Sequence, residues 1–142
     1  MGLNYNQKSL LISLKIVAKA LNEKGRNLTG LIGELSVCDR KNMKWDPSDG
    51  YDCIDNEGKK VEIKTRRDSK GGTIKKQGRL GRYGKKGKYN FDYGLYVELD
   101  NGFEITRIYK IHKAAIKRLE EQERESRGVH ISAILKIGKS IF

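Results

Sequence analysis

The stretch Gly50-Tyr51-Asp52-Cys53-Ile54-Asp55-Asn56-Glu57-Gly58-Lys59-Lys60-Val61-Glu62-Ile63-Lys64-Thr65 decides how the rest of this 142-residue chain is read. Tyr51 to Asp55 and Lys59 to Thr65 read as two strands, joined through Asn56-Glu57-Gly58, where Gly58 can take the positive φ of a three-residue hairpin loop. With Asp55 and Lys59 flanking that loop, Asp52 falls opposite Glu62. The two-residue period of a strand then puts Asp52, Glu62 and Lys64 on one face and turns Cys53, Val61 and Ile63 toward a core. Like charges opposed across a hairpin destabilise it, so the pattern calls for a compensating cation. A hard divalent metal with oxygen ligands meets that need, and Mg²⁺ keeps several waters when only one or two carboxylates hold it.

Immediately downstream the charge becomes lopsided. Lys59 to Lys88 carries thirteen Lys and Arg against Glu62 and Asp68, so eleven of the chain's net twelve positive charges sit in thirty residues. The segment 66–90 has six glycines and little apolar periodicity. It reads as a long basic loop outside the core, mobile until it meets a polyanion. Arg66, Arg67, Lys70, Lys75, Lys76, Arg79, Arg82, Lys85, Lys86 and Lys88 are its candidate phosphate contacts, because neutralising phosphates releases condensed counterions. A solvated loop kept soluble by its charge is the plainer alternative.

Upstream, Leu10, Leu14, Val17 and Leu21 recur at helical spacing over 8–22, with Ser9 or Asn6 as cap and Gly25 as stop. Leu28, Leu31, Ile32, Leu35 and Cys38 predict a second helix with Glu34 at the edge of its apolar stripe. Asp46-Pro47-Ser48-Asp49-Gly50 has the composition of a turn. Downstream, Tyr93, Leu95, Val97 and Leu99 alternate as a strand, Asp100-Asn101-Gly102 turns, and Phe103 to Ile111 returns. Ile111, Ala115, Ile116 and Leu119 open a helix that runs into a solvated acidic series, Glu120 to Glu125, and stops at Gly128. Ile131, Ala133, Leu135 and Ile137 alternate as a last strand. The expected fold is mixed α/β (α+β): one domain over 1–142 with a central mixed sheet flanked by helices. At 37% hydrophobic and 34% charged residues with a single proline, a disordered or collagen-like chain is excluded. Cys38 and Cys53 read as core residues rather than a disulfide or zinc site. No apolar run approaches the roughly 18 residues of a membrane span, and Met1 to Asn6 lacks a secretory pattern, so the expectation is a cytoplasmic protein without membrane contact.

A metal between Asp52 and Glu62 would neutralise a scissile phosphate and acidify a water, while the Lys64 ammonium orients the nucleophile or stabilises charge on the phosphorane. Glu34 is a further ligand candidate. Taken singly, Glu-x-Lys on a strand is an ordinary ion pair, and Glu34 an ordinary helix-surface carboxylate. Together with the adjacent basic segment they form a pattern chance rarely produces.

Asp52, Glu62, Ile63 and Lys64 resemble the PD-(D/E)XK nuclease signature. Within that superfamily, Gly50 to Gly58 followed by Val61-Glu62-Ile63-Lys64 is similar to the active-site hairpin of PvuII-type restriction endonucleases. Glu104 to Ile111 and Ile131 to Phe142 resemble that type's later strands. The resemblance implies a restriction-endonuclease-like core and a Mg²⁺-dependent DNA endonuclease, Mn²⁺ substituting, with no organic cofactor. It implies Asp52, Glu62 and the Ile63 backbone carbonyl as metal ligands and Lys64 as the catalytic lysine. Tyr51 stands in place of the signature's proline, and the type's His-rich base-reading segment is absent. Gly30-Leu31-Ile32-Gly33-Glu34-Leu35 looks like the Glu-bearing helix of Mrr-like nucleases and archaeal Holliday-junction resolvases. Restriction-type cleavage of double-stranded DNA by a homodimer, one site per strand, is the first expectation. Junction resolution is the second, and a DNA-binding module without catalysis the third.

Overall fold

The computed structural model describes residues 2–22, 28–48, 50–68, 78–84, 87–123 and 128–142. Helix α1 spans Tyr5–Asn22 and starts earlier than its apolar periodicity alone suggests. Its cap is neither Ser9 nor Asn6. The Gln7 amide donates to Asn4 Oδ1 at 2.9 Å and the Asn4 amide to Gln7 Oε1 at 3.0 Å, a reciprocal box that satisfies two otherwise orphaned donors. Gly25 lies outside the described residues. Helix α2, Thr29–Arg40, buries Ile32, Leu35 and Cys38 against the sheet. A Cβ on its Gly33 would stand 2.1 Å from Thr65 Oγ1, so only glycine lets this helix lie directly on the strand that carries Glu62 and Lys64.

Six strands follow the order β1-β2-β3-β4-β5-β6 across one sheet: β1 Lys44–Ser48, β2 Tyr51–Ile54, β3 Lys60–Arg67, β4 Tyr93–Leu99, β5 Ile105–His112 and β6 Lys139–Ser140. Every neighbouring pair is antiparallel except β3 and β4, which are parallel. Asp46-Pro47-Ser48 is strand rather than turn. It lies on the sheet edge, where the register shifts between Trp45 and Ser48, and an edge bulge is where a strand tolerates proline. The β2–β3 register, Cys53 with Val61 and Ile54 with Lys60, agrees with the hairpin alignment expected from sequence.

The two hairpin loops are chemically the same device. In the first, Asp55 Oδ1 accepts from the Glu57 and Lys59 amides, and the Gly58 amide donates to the Asp55 carbonyl. In the second, Asp100 Oδ1 accepts from Gly102 and Glu104, and the Phe103 amide donates to the Asp100 carbonyl. The left-handed position is Gly58 (φ 79°) in one and Phe103 (φ 66°) in the other, so the turn residue is not Gly102. Phe103 is completely buried under the Arg67 guanidinium, 3.9 Å from the ring centroid. Removing the strain of a bulky left-handed residue recovers about 1 kcal/mol, whereas deleting a buried phenyl ring costs about 3–5 kcal/mol. Phe103→Gly is therefore expected to destabilise by about 3 kcal/mol in urea unfolding; a neutral or stabilising result would contradict this weighing.

Helices α1 and α2 cover one face of the sheet, over Cys53, Val61, Ile63, Leu95, Val97 and Leu99. The other face, with Tyr96 and Ile111, is covered by α3 (Lys113–Glu121), α4 (Ile131–Ile137) and Leu80, Tyr83, Tyr89 and Phe91 from between β3 and β4. Three sequence expectations fail on this face. Ile131 to Ile137 is a helix, not a strand: Ile131 and Ile134 are buried at helical spacing while Ile137 is 43% exposed. A seven-residue apolar run fits both periods, and here packing on β5 decides. The segment 66–90 is partly core, since Leu80 and Tyr83 are buried there, and Arg66 and Arg67 belong to β3. Gly128 does not stop α3, which ends at Glu121; a Cβ at Gly128 would overlap the Leu80 carbonyl, so the glycine admits the 78–84 segment instead. The Leu80 amide donates to the Val129 carbonyl at 3.0 Å and the Ile131 amide to the Gly78 carbonyl at 2.8 Å, which fastens that segment. Both cysteines are free and buried. Among the described residues no helix is long and apolar enough to cross a membrane.

Candidate active site

The paired β2–β3 ladder stops at Cys53 and Val61, although β3 runs on to Arg67. Where β2 departs, the Asp52 carboxylate takes its place: Oδ2 accepts from the Ile63 backbone amide at 2.7 Å. That bond fixes the orientation of Asp52 and leaves Oδ1 for another partner. Glu34 reaches the same gap from α2. Its Oε2 accepts from Trp45 Nε1 at 3.3 Å. A helix on one sheet face can thus contribute to a group that strand alternation assigns to the other, because the strands part at this point.

The electrostatics record how close these groups stand. Burial, then the charge of Asp52, pushes the Glu34 carboxyl up to about 7, against the opposing pull of the Trp45 bond and the Lys64 ammonium. Glu62 is 3% exposed, beside Gly94 in the β3–β4 register. The Tyr83 ring packs on Gly94, where a Cβ would stand 2.7 Å from it, and the Lys64 Nζ lies 5.9 Å from the same ring's centroid. Burial and the charges of Glu120, Glu62 and Asp52 hold the Tyr83 hydroxyl well above the ordinary tyrosine value, while it donates to the Leu95 carbonyl at 2.8 Å. Asp52 and Lys64 therefore act on Glu34, and Glu62 and Asp52 act on Tyr83, whose ring stands over Gly94 beside Glu62. Sequence reasoning missed Trp45, and it made Tyr83 a groove or stacking contact for DNA, whereas the ring is buried at 1% exposure. The chain's single tryptophan and an aromatic inside a Gly/Lys run were the available signals.

A carboxyl raised this far binds a proton in the folded state that it has already released in the unfolded chain. Its stabilising contribution is present below the ordinary glutamate pKa and lost as pH rises through about 7. The melting temperature should fall between pH ~5 and pH ~8, and Glu34→Gln should flatten that slope and raise stability at the alkaline end. An unchanged slope in the variant would place the titration elsewhere.

Glu120, expected among solvated acids, is completely buried. It accepts from the Tyr83 amide at 2.6 Å, the Gly84 amide at 3.1 Å and the Tyr89 hydroxyl at 2.9 Å, with Arg82 Nε at 4.0 Å. This carboxylate holds Tyr83 in position. Its signal was its place four residues after Ile116, on the buried side of α3.

The candidate phosphate contacts divide. Lys70, Lys75, Lys76, Lys85 and Lys86 lie outside the described residues, and Lys88 is exposed. The four arginines fasten the protein to itself. Arg66 donates to the Arg79 carbonyl, Arg67 to the Asn101 carbonyl at 2.6 Å, Arg79 to the Gly128 carbonyl at 2.8 Å and Arg82 to the Glu120 carbonyl at 3.0 Å. Arg79 also pairs with Glu123 at 3.0 Å.

No three His, Cys, Asp or Glu side chains among the described residues stand as a preformed metal cluster. Mg²⁺ asks for less: one or two carboxylates, with water filling the remaining positions. Asp52, with one oxygen uncommitted to Ile63, and the neighbouring Glu34 carboxyl have the chemistry of such a donor set. No family model matches the chain, and no curated protein matches it in sequence.

Proposed function

We propose that the chain is a metal-dependent DNA endonuclease that hydrolyses phosphodiester bonds in double-stranded DNA, acting as a homodimer in the manner of a restriction enzyme in the cytoplasm. The observation that carries this reading is the meeting of Glu34, Asp52 and Lys64 where β2 and β3 part, with the charge of Asp52 raising Glu34. Asp52 and Glu62, with the Ile63 carbonyl, are the residues that would hold Mg²⁺ or Mn²⁺, and Glu34 adds a carboxyl at its margin. When bound, the ion neutralises the scissile phosphate and makes water a stronger nucleophile.

The protein's own groups do the rest. The Ile63 amide keeps the Asp52 carboxylate turned into the gap, so no reorganisation accompanies binding. Lys64, two residues along the same strand face, offers an ammonium to the non-bridging oxygens as negative charge builds on the phosphorus. Glu34, poised near neutrality, is suited to take a proton from the attacking water and to hold it while Trp45 Nε1 keeps the carboxyl in orientation. The buried Tyr83 ring excludes water from beside Glu62. Incubation with supercoiled plasmid, linear duplex and a four-way junction, each with Mg²⁺ or with EDTA, tests this. Mg²⁺-dependent cutting of duplex supports it, junction-only cutting replaces the substrate, and binding without cutting overturns the enzyme.

A further inference from the structure

The sheet face that bears Glu62 and Lys64 continues into a second charged row. The register sets Lys64 beside Tyr96 and Arg66 beside Glu98, and Glu98 in turn faces Arg107 on β5. Glu98 is only 7% exposed. Tyr96 donates its hydroxyl to Glu98 Oε2 at 2.5 Å, and Arg107 Nε lies 3.5 Å from Oε1, so both carboxylate oxygens are committed. The Arg107 side chain is nevertheless 47% exposed, and Arg66, exposed as well, is steadied by its bond to the Arg79 carbonyl. Along β3 the face therefore changes sign, from the carboxylates of the gap to Arg66 and Arg107 on either side of one buried acid.

We propose that Arg66, steadied by the Arg79 carbonyl, and Arg107, aligned by Glu98, form a seat for the DNA backbone phosphate next to the one held at Lys64. This rests on the nuclease reading. Guanidinium groups recognise phosphate through paired, planar donors, and a guanidinium already held by a fixed carboxylate loses less freedom when it binds. Arg107 lies outside the basic segment, so composition gives no hint of it. The seat also explains why a buried acid stands on this face: Glu98 orients Arg107.

The test is duplex binding by the full chain over a salt series, with Ca²⁺ in place of Mg²⁺. Arg107→Ala, at a half-exposed position, should weaken binding severalfold and reduce the magnitude of the salt slope by about 0.9, the loss of one phosphate contact. Glu98→Gln is the sharper variant, checked for an unchanged circular dichroism spectrum. It makes the surface more positive, so unspecific attraction predicts tighter binding, whereas loss of alignment predicts weaker binding. Wild-type binding matched by Arg107→Ala, or strengthened in Glu98→Gln, would overturn the seat while leaving the nuclease reading standing. A wild-type protein that binds no duplex would overturn both.

Discussion

Glu62→Gln and Lys64→Ala are each expected to lower Mg²⁺-dependent cleavage by about 10³-fold or more, with duplex binding in Ca²⁺ changed far less. Glutamine has nearly the shape of glutamate, so the 3%-exposed position stays filled and the packing of Tyr83 over Gly94 is kept; only the charge a cation needs is gone. Asp52→Asn belongs to the same set, since an amide oxygen can still accept from Ile63 and preserve the gap. Raising Mg²⁺ should partly restore the carboxylate variants, because their defect is affinity for the ion. It should not restore Lys64→Ala, whose lost ammonium acts on the phosphate. Wild-type rates in any of these variants, measured on plasmid by gel, would remove the assignment.

The largest effect on stability is expected from Glu120→Ala, at about 3–5 kcal/mol. The substitution strands the Tyr83 and Gly84 amides and the Tyr89 hydroxyl in a buried place and takes away the acid beside Arg82. Glu120→Gln keeps an acceptor for one or two of these donors and should recover part of the loss. Hydrogen exchange separates local from global damage: protection at Tyr83 and Gly84 should fall first, ahead of the β4 amides. A loss of less than about 1 kcal/mol would mean that Tyr83, Gly84 and Tyr89 are held by apolar contacts alone.

These cases show where sequence was enough. The 51–65 hairpin was legible because everything that sets it is local: an Asp that caps its own loop, a glycine at the positive φ, and a two-residue period. The pairing of Cys53 with Val61 follows from those alone. The approach of Glu34 to Asp52 does not, because it depends on β2 and β3 parting and on Gly33 letting α2 down onto Thr65. Leu80 and Tyr83 were hidden by composition. Among glycines and lysines Leu80 reads as incidental and Tyr83 as a contact for DNA, yet they are the residues that dock the segment. Glu120 was hidden by its neighbours, for an acid in an acidic run reads as solvated unless its helical face is followed inward. The α4 helix was lost to a pattern that two periodicities share.

The single parallel contact in the sheet also orders events in time. Val61 and Tyr93 are direct partners yet stand thirty-two positions apart, while the β2–β3 and β4–β5 hairpins close through three-residue loops. Short loops close fast and long ones late, so the two hairpins should form as separate early units and join only when the intervening chain has been drawn in. The strand bearing Glu62 and Lys64 then meets the strand bearing Tyr96 and Glu98 in that last step. Substitutions in the 78–84 segment should accordingly slow refolding, and Tyr83 comes to rest over Gly94 beside Glu62 only as the native state is completed.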